Sequence, residues 1–404
     1  MLAQLGVASA TAAMAWTADD YSLAVTALFA VLLAFWTTTL EVAADAWRIE
    51  LAPTPAEQGP IVAANVWGYR SAMVAAGSGA LLVANGAGWG AAYLLIAAAA
   101  LAPFPVLAAM APERGGRGRA VALTTGIIAS VGILLVSTAL IAGVGRIVLD
   151  VAAHGGIDAR ANVTPYVLAL AILPFVLLAL ALPSIQRAPP DSPLRASPVI
   201  GPYVDVFWRY GTATLLLLVF VALYRMGDVL ALNLSKPMVR SLGYSLSAIG
   251  RADGVVALGA SMAGVALGGW LVSRPPLGRA LAIGAAAAAF GNFGFVWLAH
   301  QSPGEIVLYA ATAADQFGNG MAGAVFVVYL SMLVNPRHAG AQYALLSGWA
   351  FLLPRLLAGA GGSLVERLTK AGYPGFDLFF AGSGVLSLAA IAFLPALARL
   401  RPRT

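Results

Sequence analysis

Residues 23–70 read LAVTALFAVLLAFWTTTL EVAADAWRIE LAPTPAEQGP IVAANVWGYR. The stretch from Leu23 to Leu40 carries no charge. Glu41, Asp45 and Arg48 then recur at one-turn spacing, a proline-rich turn follows, and a second apolar run ends on Arg70. A spanning helix needs about 20 apolar residues, so this stretch predicts one membrane helix over about 21–47 and another over about 60–84. Working outward, the same pattern predicts helices at 1–16, 88–111, 119–147, 164–185, 207–234, 246–273, 276–299, 304–334, 339–367 and 374–398, about twelve in all. The apolar runs are continuous rather than alternating, which excludes a transmembrane β-barrel.

Composition agrees with an all-α integral membrane protein. Of 404 residues, 60% are hydrophobic and 10% charged, against about 45–50% and about 25% in soluble domains. Mean hydropathy is +0.86. A cytosolic enzyme, a nucleic-acid binder and a disordered chain are excluded on that ground. With no cysteine and three scattered histidines, neither disulfides nor a metal motif is expected. Gly318, Gly320 and Gly323 spell G-x-G-x-x-G, but inside an apolar helix the pattern means close packing, not a dinucleotide fingerprint. Gly264 and Gly268 form a similar packing face. The reading is of a non-enzyme that needs no cofactor.

The net charge of +6 is mainly a topology signal. Placing Arg114, Arg117 and Arg119 in the cytoplasm fixes the other loops by alternation. Arg48, Arg187, Arg195, Arg209, Arg274, Arg279, Arg337, Arg399, Arg401 and Arg403 then join the inside, while Arg146, Arg160, Lys236, Arg240, Arg367 and Lys370 fall outside. This satisfies the positive-inside rule and puts the C-terminus in the cytoplasm. The first helix is short: 16 residues rise about 24 Å, less than the roughly 30 Å hydrocarbon core.

Ionisable groups within spans are costly and usually face a cavity or a partner. Glu41 and Asp45 lie one turn apart on one face. Their mutual repulsion in a low dielectric suits a proton carrier, and the alternative is a gate latch at the inner helix end, bonded to Arg48 or to an adjacent loop. Arg70 lies near Asn65, Trp67 and Tyr69, placed either to clamp a carboxylate or to neutralise Glu41 or Asp45. Arg225 and Asp228 are three apart and able to pair, and Tyr224 supplies an aromatic face. Arg251 and Asp253 lie near the outer mouth of their helix. Asp315, Gln316 and Asn319 cluster on one helix, and Arg355 follows Pro354, where a kink is expected.

Three motifs now carry a family resemblance: Glu41-Val-Ala-Ala-Asp45-Ala-Trp-Arg48-Ile-Glu50-Leu, followed by Pro55-Ala-Glu57-Gln-Gly59 and Gly68-Tyr69-Arg70; Leu223-Tyr224-Arg225-Met-Gly227-Asp228; and Gln342-Tyr343-Ala-Leu-Leu-Ser347 with Arg355. The chain resembles the AmpG-type muropeptide permeases of the major facilitator superfamily over most of its length. Glu41 replaces the family's more usual Asp, and Gln58 stands where a basic residue is common.

The resemblance implies a proton symporter of the bacterial inner membrane that imports N-acetylglucosaminyl-anhydro-muramyl species by alternating access. Glu41, Asp45, Asp228 and Asp315 are then the proton-coupling candidates. Asn65, Tyr69, Arg70, Tyr224, Arg225, Gln316, Asn319 and Arg355 are the substrate candidates. Its partners are the muropeptide or amino-sugar, protons and the bilayer, with no nucleic acid, and a monomer is expected. The motifs set a register in which residues 1–111 are family helices 3–6, 112–205 are two inserted helices and a linker, and 206–404 are helices 7–12. Family helices 1 and 2 are then expected upstream of Met1. The rival readings are a carrier of another large ligand, related to acetyl-CoA or siderophore transport, and a truncated scaffold that transports nothing.

Overall fold

The computed structural model describes residues 2–17, 23–110, 176, 180–189, 192, 195, 197, 200–400 and 403. The expected helix at 119–147, most of that at 164–185, the 112–119 loop, Arg146, Arg160 and Arg401 lie outside them. The described helices are α1 (Leu2–Thr17), α2 (Leu23–Leu51), α3 (Pro55–Val74), α4 (Ala80–Leu101), α5 (Phe104–Met110), α6 (Gly201–Tyr210) and α7 (Ala213–Ser241). They continue with α8 (Leu246–Val272), α9 (Leu277–Ala299), α10 (Glu305–Leu333), α11 (Pro336–Lys370) and α12 (Gly375–Leu397). Among the described residues, eight helices are long and apolar enough to cross a membrane.

Local chemistry sets the helix ends and breaks. The turn after α2 closes with a capping box, in which Thr54 Oγ1 accepts from Glu57 N and Glu57 Oε2 accepts from Thr54 N at 3.1 Å. Two orphan amides of the helix start are thereby satisfied. The break expected between 84 and 88 is a kink at Gly88, whose φ of 83° lies in the left-handed region open to glycine. A π-helical turn at Ala75–Gly79 joins α3 to α4, and a second at Ala252–Val256 interrupts α8. Such turns recur at functional sites, and the second carries Asp253. In α11 the helix runs through Pro354 and is interrupted at Ala360.

Helices α7–α12 form one packed body. Its core runs from Leu217, Phe220 and Tyr224 across to Val325 and Leu346, and a second cluster gathers around Met238, Phe295 and Phe380. The glycine motifs serve packing. A methyl group on Gly264 would fall 2.1 Å from Phe317 O, and one on Gly320 would fall 2.4 Å from Ser261 O, so α8 and α10 meet backbone to backbone as small-residue interfaces allow.

The short α1 packs against α2 and α4, and Gln4 Nε2 donates to Ala100 O at 2.8 Å. α3 runs along α8: Trp67 Nε1 donates to Met262 O at 3.0 Å, and a methyl on Gly59 would sit 2.3 Å from Gly269 O. α2 lies against α11. The amphipathic α6 closes one end, where Tyr210 donates to Leu333 O at 2.8 Å. Burial pushes the Tyr210 hydroxyl above its ordinary range, so it remains a protonated donor.

Candidate functional site

Between α3, α7, α8 and α10 lies a cavity of about 180 Å³. Arg70 enters it from α3; Asp315, Gln316 and Thr312 come from α10; Lys236 comes from α7, and Asp253 from the π-helical turn of α8. Lys236 and Asp253 pair at 2.9 Å on its exposed rim. Deeper in, Gln316 Nε2 donates to Asp315 Oδ2 at 2.9 Å. Arg70 is half-buried and makes no hydrogen bond or ion pair to another described residue, although it lies within Coulombic reach of Asp315 and Arg225. An uncompensated guanidinium this deep is costly, and it faces a carboxylate that forms no ion pair of its own among the described residues. The cavity is therefore bipolar, with one cation and one acid each open to a ligand.

A tighter layer adjoins it. Arg225 Nη1 donates to Asp228 Oδ2 at 2.7 Å, and its Nη2 reaches Asn319 Oδ1 at 3.4 Å. Both members of the pair are buried. Phe351 packs near two guanidinium groups, its ring centroid 5.6 Å from that of Arg225 and 5.4 Å from that of Arg355. The pairing of Arg225 with Asp228 is the one their spacing allows. It leaves Arg225 engaged while Arg70 stays available.

The opposite end is sealed around Arg48, which is 4% exposed. Its guanidinium bonds Asp45 on its own helix at 3.1 Å, Gln58 on α3, and Ser331 on α10 at 3.0 Å, and it lies over the Tyr343 ring of α11. Gln58 is anchored in turn by donating to Ala52 O at 2.7 Å. Four helices thus meet on one cation. Asp45 takes the latch arrangement, while Glu41, one turn earlier, is exposed on α2.

The remaining candidates scatter. Asn65 and Tyr69 are exposed on α3, outside the lining of the cavity. The expectation that Tyr224 offers a ring face meets a closed pack: its ring stacks on Phe326 with centroids 5.1 Å apart, its hydroxyl donates to Leu281 O, and it is 1% exposed. Arg251 bonds Glu305 and Tyr309 at the mouth of α8, tying α8 to α10. Ser331 emerges only with the fold, because its partner Arg48 lies 283 residues away in sequence, and Thr312 emerges only as part of the cavity lining.

Comparisons with known proteins agree with this architecture. No protein-family model matches the chain. It is 30% identical over 198 residues to a putative transporter AmpG 4 of Rickettsia conorii, covering 49% of this chain and 46% of that protein. It is 29% identical over 227 residues to the anhydromuropeptide permease of Escherichia coli, covering 55% and 45%. The chain thus spans about half the length of the curated relatives it matches. Its fold is similar to that of the major facilitator superfamily proton:xylose symporter XylE, solved with 6-bromo-6-deoxy-D-glucose. The TM-score is 0.62 at 14% identity, over 99% of this chain and 79% of the symporter. The chain is a multi-pass membrane protein with the major facilitator fold, related in sequence to the AmpG-type permeases.

Proposed function

We propose that the chain is a proton-coupled secondary transporter that imports N-acetylglucosaminyl-anhydro-muramyl species across the bacterial inner membrane. The observation that carries this reading is the bipolar cavity, in which Arg70 of α3 and Asp315 of α10 face the same space without pairing. A carboxylate of the peptide moiety meets Arg70, and sugar hydroxyls and acetamides meet Gln316 and Asn319. Asp315 and Asp228 are the acids whose proton occupancy biases the two access states. Residues 1–111 and 206–404 are the two bodies that rock, bearing on one another where α3 meets α8 and α10 and where α2 meets α11.

The orientation follows from charge. The latched end collects Arg209, Arg274, Arg279, Arg337 and Arg399 at the helix ends around it, so that end and the C-terminus face the cytoplasm. The Arg48 latch is then a closed inner gate, and the cavity opens toward the outer side. At about 180 Å³ the cavity is smaller than the roughly 300–1,000 Å³ of typical ligand pockets. The helices around it must part further to admit a disaccharide.

The test is uptake of labelled disaccharide-anhydro sugar, with and without its peptide, into liposomes carrying the longest in-frame form of the chain. Uptake that rises with an inward proton gradient and weakens in Arg70→Gln supports the reading. Well-folded protein that carries neither ligand overturns it and leaves another large ligand, or a scaffold, as the alternative.

A further inference from the structure

Asn292, on α9, is fully buried, and neither its amide nitrogen nor its amide oxygen has a partner among the described residues. Leaving such a group unpaired costs about 1–3 kcal/mol, so it calls for an explanation in place. Its surroundings supply one. A methyl on Gly227 would fall 3.2 Å from Asn292 Nδ2, and Gly227 immediately precedes Asp228. Tyr224, one turn before Asp228, bonds Leu281 O of α9, so the face of α7 that carries Tyr224 and Asp228 is the face turned to α9. On the other flank, a methyl on Gly291 would lie 2.5 Å from Asp315 Cα. Asn292 therefore sits where α9 is pressed between the helix of Asp228 and the helix of Asp315.

The nearby hydroxyls have spent their donors, since Ser383 donates to Phe379 O and Ser387 donates to Ser383 O, and neither oxygen accepts from Asn292. Around Asp228 the charged groups are Arg225 on its own helix, Asp315 on α10, Arg70 on α3 and Arg355 beyond Phe351. The facing parts of α9 and α12 contribute only Asn292, Ser383 and Ser387.

We infer that Asn292 is a positioning residue for the proton site at Asp228. Its amide is the hydrogen-bond partner that the Asp228 carboxyl takes up when it gains a proton and releases Arg225. In that state the carboxyl O–H donates to Asn292 Oδ1, or its C=O accepts from Asn292 Nδ2. Arg225 is then freed toward Asn319 and the cavity. The inference deepens the proton-coupled reading and rests on it for its purpose, but its test needs no transport.

The test is infrared spectroscopy of the full chain in liposomes at a pH acid enough to protonate Asp228. The carboxyl C=O band of Asp228 is the one that disappears in Asp228→Asn. In Asn292→Leu this band moves to higher wavenumber, as a carboxyl does on losing its hydrogen bond, and Asn292→Ser returns part of the shift. An unmoved band in folded Asn292→Leu overturns the assignment. If that variant is not recovered folded, Asn292→Ser decides alone: an intermediate shift supports the inference, and an unchanged band rejects it. A protein that carries no muropeptide yet shows the shift would fail as a permease while keeping this partner.

Discussion

Arg48 Nη1 donates to Ser331 Oγ at 3.0 Å, bonding α2 to α10 at the end of the molecule opposite the cavity. Ser331 Oγ donates a hydrogen bond to Val327 O at 2.8 Å, so its lone pairs are left to accept from the guanidinium. The two residues are 283 positions apart, and closing this contact is what holds that end shut.

Removing the acceptor should loosen the latch without unfolding the helices. A hydrogen bond to a charged group is worth about 1.5–3 kcal/mol, and about 1.4 kcal/mol is a factor of ten. Ser331→Ala should raise the open fraction of this end about tenfold. The chain has no cysteine, so a single reporter is clean. Ala46 lies inside the α2–α11 contact, where a methyl on Gly340 would meet its Cβ at 3.3 Å. Maleimide labelling of Ala46→Cys should accelerate about tenfold in the Ser331→Ala background, and an unchanged rate counts against the latch.

The contrast between what was legible in the sequence and what was not lies in range. The spanning helices, the break at Gly88 and the pairing of Arg225 with Asp228 are local, since apolar continuity, a glycine and an i,i+3 spacing are written within a few residues. Most partners of Arg48 are not: Asp45 lies within one turn of it, but Ser331 and Tyr343 come from α10 and α11. Nothing near Ser331 marks it as an acceptor, and Gln58 is recognisable only as a departure from a basic residue in the resembling motif. Tyr224 misleads for the same reason: a tyrosine beside two charges reads as a binding ring, yet Phe326 covers it from about a hundred residues away. Arg70 and Asp315 were legible as misplaced charges, but their sharing of one cavity was not.

Arg70 should discriminate among ligands. A carboxylate held by its guanidinium gains about 1.5–3 kcal/mol, so Arg70→Gln should raise KM for the peptide-bearing muropeptide about tenfold or more. The effect on a disaccharide whose muramyl lactyl carboxyl is blocked as an amide should be much smaller, because that ligand offers Arg70 no carboxylate. Arg70→Lys keeps the charge but loses the planar fork and should fall between the two. Equal losses for both ligands would place Arg70 in the structure of the protein rather than in recognition.

The α8–α10 interface predicts opposite outcomes for two glycines on one helix. Gly264 has Phe317 O 2.1 Å from its would-be methyl, whereas beyond its own helix backbone Gly250 has no described atom within 4 Å. Gly264→Ala forces backbones apart and should destabilise by about 1–3 kcal/mol. Gly250→Ala, in a helix with open space, should be neutral or stabilising by about 0.5–1 kcal/mol. Thermal unfolding in detergent separates them, and a Gly264→Ala variant as stable as the parent would show that the two helices do not pack so closely.

The buried Arg225–Asp228 pair separates stability from function. Removing one partner strands a charge and costs about 3–5 kcal/mol, whereas replacing both by apolar residues of similar volume is often neutral. Asp228→Leu should therefore lower Tm markedly, because Arg225 is left charged beside Phe351 and Asn319. The double variant Arg225→Leu with Asp228→Leu should recover most of that loss. Recovery of Tm without recovery of gradient-driven uptake would place the pair in the transport cycle. Recovery of both would make it a structural ion pair and move the proton to Asp315. Asp228→Asn refines the choice, since it keeps the shape and hydrogen-bonding capacity of the side chain. It should retain substrate exchange between equilibrated compartments, within about two-fold of the parent, while losing the stimulation by a proton gradient.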